Sequence, residues 1–104
     1  MNRAVTPNLD QSAVEQRWCE RGFSCDLWVD RPGQVWADFV HETDELVLVV
    51  RGQVEFEFGG EVHHPECGHE LLIPARTRHT VRNLGGTQAE WLYGYKRTKA
   101  SGGE

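Results

Sequence analysis

A histidine and a glutamate, His41 and Glu45, stand four residues apart at the head of "HETDELVLVVRG", and a further histidine, His79, lies in "ARTRHTVRN". Imidazole and carboxylate are ligands for divalent cations. Two imidazoles with one carboxylate leave coordination positions open for water or a substrate, as in catalytic rather than structural metal sites. A glutamate buried without a partner is costly, so Glu45 in a cavity needs a metal, a cationic neighbour or a proton. The competing reading is a pocket without metal, in which the same side chains only hydrogen-bond a small molecule.

Short elements must bring these side chains together. "SAVE" has the capping-box form: Ser12 caps, Glu15 reaches back, Val14 and Trp18 share a face, and Gly22 ends the turn. This predicts one helix over residues 12–21. From Phe23 the period changes to two, which puts Phe23, Cys25, Leu27 and Val29 on the buried face of a strand and Trp28 and Asp30 on the other. After the turn signal "RPGQ", Val35, Ala37, Phe39 and His41 share a face. In an unbroken strand that face continues through Glu45, Val47 and Val49. Leu46 to Val50 is apolar on both faces, which predicts a strand buried on both. "VEFEF", "ELLI", "RHTVRN" and "AEWLYGYK" supply further strands between glycine and proline turns. His79 shares its face with Val81 and Asn83. One helix and about seven short strands predict an all-β antiparallel sandwich or barrel with a central cavity. Residues 1–22 read as an arm and helix, 23–96 as the barrel and 97–104 as a polar tail.

Two segments resemble the paired motifs of the cupins, small β-barrels of the jelly-roll type. The first motif has the form H-x-H-x3/4-E-x6-G, and Phe39, His41, Glu45 and Gly52 stand at its positions. The second has the form G-x5-P-x-G-x2-H-x3-N, and Gly68, Pro74, His79 and Asn83 fit every spacing. Phe39 replaces the first histidine and Arg76 the second glycine. The resemblance implies metal ligation by His41, Glu45 and His79, a set able to take iron(II), zinc, nickel or manganese. It implies a homodimer paired through edge strands or exchanged N-terminal segments, with the arm before Ser12 and the helix carrying Trp18 as candidate contacts. Phe39, Val81, Asn83 and Tyr93 are the expected walls of a substrate pocket. The implied function is a metal-dependent dioxygenase, isomerase or lyase, or else a non-catalytic small-molecule-binding module.

Composition narrows the partners. The net charge of −5 argues against nucleic acid and against an anionic membrane surface. The run Leu46 to Val50 is far shorter than the ~20 residues of a membrane span. Three cysteines, Cys19, Cys25 and Cys67, cannot all pair within the chain and read as reduced thiols in a cytoplasmic protein. "HHPECGH" matches no zinc spacing and reads as a solvated loop. By parity Arg76, Arg78 and Arg82 face away from His79. Trp28, Trp36, Trp91, Tyr93 and Tyr95 read as core or interface aromatics, some of which could line the cavity.

Overall fold

The computed structural model describes residues 9–97. Most of the expected arm, and all but the first residue of the expected tail, lie outside that range. Helix α1 spans Gln11–Glu20, and the strands are β1 (Asp26–Asp30), β2 (Val35–Phe39), β3 (Glu45–Arg51), β4 (Val54–Phe58), β5 (Glu61–His63), β6 (Glu70–Ile73), β7 (His79–Asn83) and β8 (Ala89–Tyr95). They form two four-stranded antiparallel sheets of order β1-β8-β3-β6 and β2-β7-β4-β5, packed face to face as the all-β expectation requires.

Strand β3 explains its own apolar run. Val47 and Val49 point between the sheets, beside Val54, Phe56, Ile73, Val81 and Trp91. Leu46 and Leu48 point to the outer face and meet Val14 and Trp18 of α1. The helix therefore lies on the outside of the first sheet. Asp10, rather than Ser12, caps it: its carboxylate accepts from the backbone N–H of Ser12 and Ala13 at 3.0 and 3.3 Å. Trp18 is fully buried against its own sheet.

Two stretches depart from simple alternation. On β1, Leu27 and Val29 are 45 % and 48 % exposed, whereas Asp30 is 2 % exposed. Trp28 lies directly opposite Trp91 and Asp26 opposite Tyr93, so Trp28 shares the inner face of β8. Phe23 and Cys25 do pack inward, but under the helix and before β1 begins. In β2 the register shifts between Trp36 and Phe39, where Asp38 takes a positive φ of 62°. This bulge turns both Trp36 and Phe39 to the interior, which strict period-two counting forbids. Nor is the strand unbroken from Phe39 to Glu45. β2 and β3 belong to different sheets, and His41 lies in the link between them.

The helix is latched by Glu70 on β6. The carboxylate accepts from Trp18 Nε1 at 3.0 Å and from both terminal nitrogens of Arg21 at 2.9 and 2.7 Å. The Arg21 hydrogen bonds, helped by Trp18, hold its pKa below the ordinary carboxylate value against the effect of burial. A carboxylate with a depressed folded-state pKa stabilises fully above its unfolded value of about 4.3, and that contribution is lost as pH falls through the folded value. Glu70→Gln should therefore lower stability by about 1 kcal/mol at neutral pH. The Tm gap to the parent should close in acid. Thermal melts showing a gap of the same size from neutral pH to pH ~3 would refute an ionic latch.

Candidate functional site

Local turns place the three ligand candidates. Pro74 stops β6, and the following turn is pinned to the β2–β3 link. Ala75 N–H donates to the Asp44 carboxylate at 2.8 Å, and Arg76 N–H donates to the His41 carbonyl at 2.7 Å. Arg76 adopts φ 57°, the left-handed conformation that glycine would take without strain at this motif position. The turn delivers His79 as the first residue of β7, while Glu45 opens β3. His79 and Glu45 are each 4 % exposed, and His41 is half-buried.

One ligand atom from each of His41, Glu45 and His79 lies within 4.8 Å of the other two. Glu45 Oε1 is 3.4 Å from His79 Nε2 and 3.7 Å from His41 Nε2. These are electrostatic contacts rather than aligned hydrogen bonds: Oε1 is a buried oxygen with no hydrogen-bond partner. On the far side of its ring, His79 Nδ1 lies 3.1 Å from the Thr77 carbonyl. A carbonyl can only accept, so Nδ1 carries the proton and Nε2 is left bare toward Glu45 in the neutral ring. Burial works to lower the His79 pKa, but the Glu45 carboxylate and the Thr77 carbonyl outweigh it and raise the value. The Tyr95 hydroxyl lies 3.3 Å from His41 Nε2. Burial, the Glu45 charge and Tyr93 push that phenol up to about 12, so it keeps its proton.

These groups border a cavity of about 200 Å³. Phe39, Val81 and Tyr93 line it, and Phe39 stacks on the His41 ring with centroids 6.1 Å apart. Asn83 does not line it. Its side-chain N–H groups donate to the Arg31 and Thr87 carbonyls and its oxygen accepts from Gly85 N–H, so the side chain is consumed by the turn after β7. Trp28, Trp36, Trp91 and Tyr95 line the cavity as well. The sequence reading gives core or interface as the default for these aromatics and lets some line the cavity, without saying which; the register that sets Trp28 opposite Trp91 shows it. No arginine or lysine is among the lining residues. Arg82 faces outward to Glu55 and Glu57. His64 of the "HHPECGH" stretch contacts Glu55 at 3.0 Å, with its side chain 60 % exposed. Burial pushes the Cys25 thiol up to about 11, which makes it a poor nucleophile.

An antiparallel two-sheet barrel with an imidazole–carboxylate cluster inside it is the architecture of one class of protein. Residues 26–95 match the family described as "Cupin domain", and the chain belongs to that family. It is similar to polyketide synthase CurC of Streptomyces cyaneus, at 32% identity over 68 residues, covering 64% of this chain and 44% of that protein. It is also similar to protein SchB of Streptomyces halstedii, at 33% identity over 66 residues, covering 62% and 48%. The chain thus spans about half the length of these curated relatives. Among solved structures, TT1209 from Thermus thermophilus superposes with TM-score 0.64 at 28% identity, covering 73% of this chain and 74% of the other.

The strained Arg76 offers a direct check on how the turn positions His79. Arg76 is exposed, so replacing it removes little packing. Arg76→Gly should stabilise the fold by about 0.5–1 kcal/mol, strain relief outweighing the entropy glycine adds to the unfolded chain. Denaturant titration showing destabilisation would mean that the arginine side chain anchors the turn.

Proposed function

We propose that this chain is a metal-binding cupin enzyme that acts on a small conjugated molecule through its oxygen atoms. The observation that carries the reading is Glu45 Oε1, buried and without a hydrogen-bond partner between two imidazole nitrogens. A bare carboxylate oxygen in such surroundings is costly unless a cation or a proton meets it. The donor set of His41, Glu45 and His79 fits a divalent cation such as iron, zinc, nickel or manganese. An ion held there supplies Lewis acidity that polarises a carbonyl or enol oxygen.

The protein side chains account for the rest. Thr77 keeps the His79 proton on Nδ1, so that Nε2 remains a donor atom. Tyr95 keeps a proton beside His41, within the same cavity. Phe39 and the tryptophans exclude water around the reacting oxygens, which strengthens every charge interaction there. The likeness to a protein named as a polyketide synthase supports the substrate class, because polyketide chains carry carbonyls on alternate carbons and paired oxygens chelate cations. The working unit is read as a homodimer in a reducing cytoplasm. Exposed Leu27 and Val29 on edge strand β1 and the free thiols of Cys19, Cys25 and Cys67 support these two points.

Metal analysis of the purified full-length chain tests the proposal. One ion per chain is expected. Glu45→Gln and His79→Ala should each weaken binding by at least about 100-fold, the upper end of what losing a mere supporting residue costs. Phe39→His, which restores the missing motif ligand, should tighten it. Uptake should weaken as pH falls, because the raised His79 pKa lets protons compete sooner. A wild-type chain that takes up no more metal than Glu45→Gln, yet binds an organic ligand, would make this a non-catalytic binding module.

A further inference from the structure

A second buried carboxylate stands behind the cavity wall. Asp30 is 2 % exposed and does not line the cavity. Its Oδ1 accepts from Trp28 Nε1 at 2.7 Å and from Trp36 Nε1 at 2.8 Å, and its Oδ2 accepts from Trp91 Nε1 at 3.0 Å. Trp28 and Trp91 come from one sheet and Trp36 from the other. All three rings line the cavity.

We infer that Asp30 is a positioning residue that fixes three indole rings as the walls of an aromatic corner, with Trp28 and Trp36 at 76° to each other, and that the corner selects a planar aromatic ring system without positive charge as ligand. This rests on the reading of the cavity as a metal-assisted substrate site, and it names the substrate's shape and charge. Indole has one N–H, so a hydrogen bond to a fixed acceptor removes most of its freedom to rotate. Each N–H edge is turned onto Asp30, which holds the rings at set angles, so that a flat aromatic ring can lie against one indole and meet another edge-on. Among the described residues no arginine or lysine lines the cavity, so the proposed ion beside the two histidines is what an oxygen of the ligand would meet. An ammonium group would suit indole faces alone, but the divalent ion proposed beside them repels it. Aspartate is required chemically: an asparagine at this position offers one acceptor oxygen and turns a donor toward the remaining indole.

The test compares 2-naphthol, flat and neutral, with its saturated counterpart 2-decalol, puckered and neutral, by calorimetry on the full-length chain, with metal content measured in the same samples. The wild type should prefer 2-naphthol by at least tenfold. Asp30→Asn should bring that ratio close to one and change the near-ultraviolet circular dichroism of the indoles, while metal content stays unchanged. A purely structural role for Asp30 would lower Tm and leave the ratio intact, which would overturn the inference. Should Asp30→Asn fail to fold, Trp28→Phe and Trp36→Phe each keep a ring in the wall but remove one tether. Either should reduce the ratio at least threefold, and an unchanged ratio in both would overturn it. 2-Naphthylmethylammonium binding more tightly than 2-naphthol to metal-loaded protein would overturn the exclusion of a positively charged ligand. Loss of metal binding with the flat-ring preference kept would refute the metal reading alone.

Discussion

Three indole N–H groups, carried by strands of both sheets, end on the single carboxylate of Asp30. A carboxylate this deep is tolerable only when its lone pairs are occupied, and hydrogen bonds to a charged group contribute about 1.5–3 kcal/mol each. The same three bonds settle the parity of β1. Facing Asp30 and Trp28 inward leaves Leu27 and Val29 substantially exposed, an arrangement that apolar burial alone would reverse. They are also served by the β2 bulge, because only a register shift lets Trp36 and Phe39 both reach the interior. The shape of the cavity follows from a polar contact, and apolar packing fills in around it.

The opposite face of the first sheet obeys a different constraint. It carries leucines and valines that a lone sheet would expose, and α1 covers them with Val14 and Trp18. The cover is itself held by a carboxylate, Glu70, which takes the Trp18 indole N–H and the Arg21 guanidinium. Gly94 on β8 permits the close approach: a methyl group there would run into the Ser24 carbonyl and meet the Trp18 ring at 3.0 Å. With both faces of β3 covered, Glu45 at its head is held on a rigid element, as the proposed cation ligand would need to be.

Much of this was legible in the sequence, because most of it is periodic. The doubly apolar run of Leu46 to Val50, the alternation of Val54, Phe56 and Phe58, and the spacings around His41, Glu45 and His79 all pointed to the barrel and to side chains that meet within it. What was not legible depends on contacts between strands far apart in the chain. Leu27 and Val29 alternate like buried residues, and nothing local announces that Asp30 will be held by Trp91, which lies 61 positions away. A bulge is invisible to period counting for the same reason: the unpaired residue at Asp38 is defined by its partner strand. Asn83 matched its motif position, but its side chain is taken up by the turn after β7 and does not line the cavity.

The two carboxylates inside the barrel make opposite statements. Asp30 has a donor for each direction in which it needs one, and it faces no open space. Glu45 is as deeply buried but leaves Oε1 bare, 3.4 Å from one imidazole nitrogen and 3.7 Å from another. If the barrel needed Glu45 only for folding, a donor such as those gathered around Asp30 could have satisfied it, and the cluster of two imidazoles and a carboxylate is costly unless a cation or a proton joins it. The fold spends several aromatic side chains to satisfy one acid and leaves the other unmatched in the same cavity. That asymmetry is what supports placing the proposed cation at Glu45 and the proposed shape selection at Asp30, with charge and ligand geometry handled by separate groups within one small barrel.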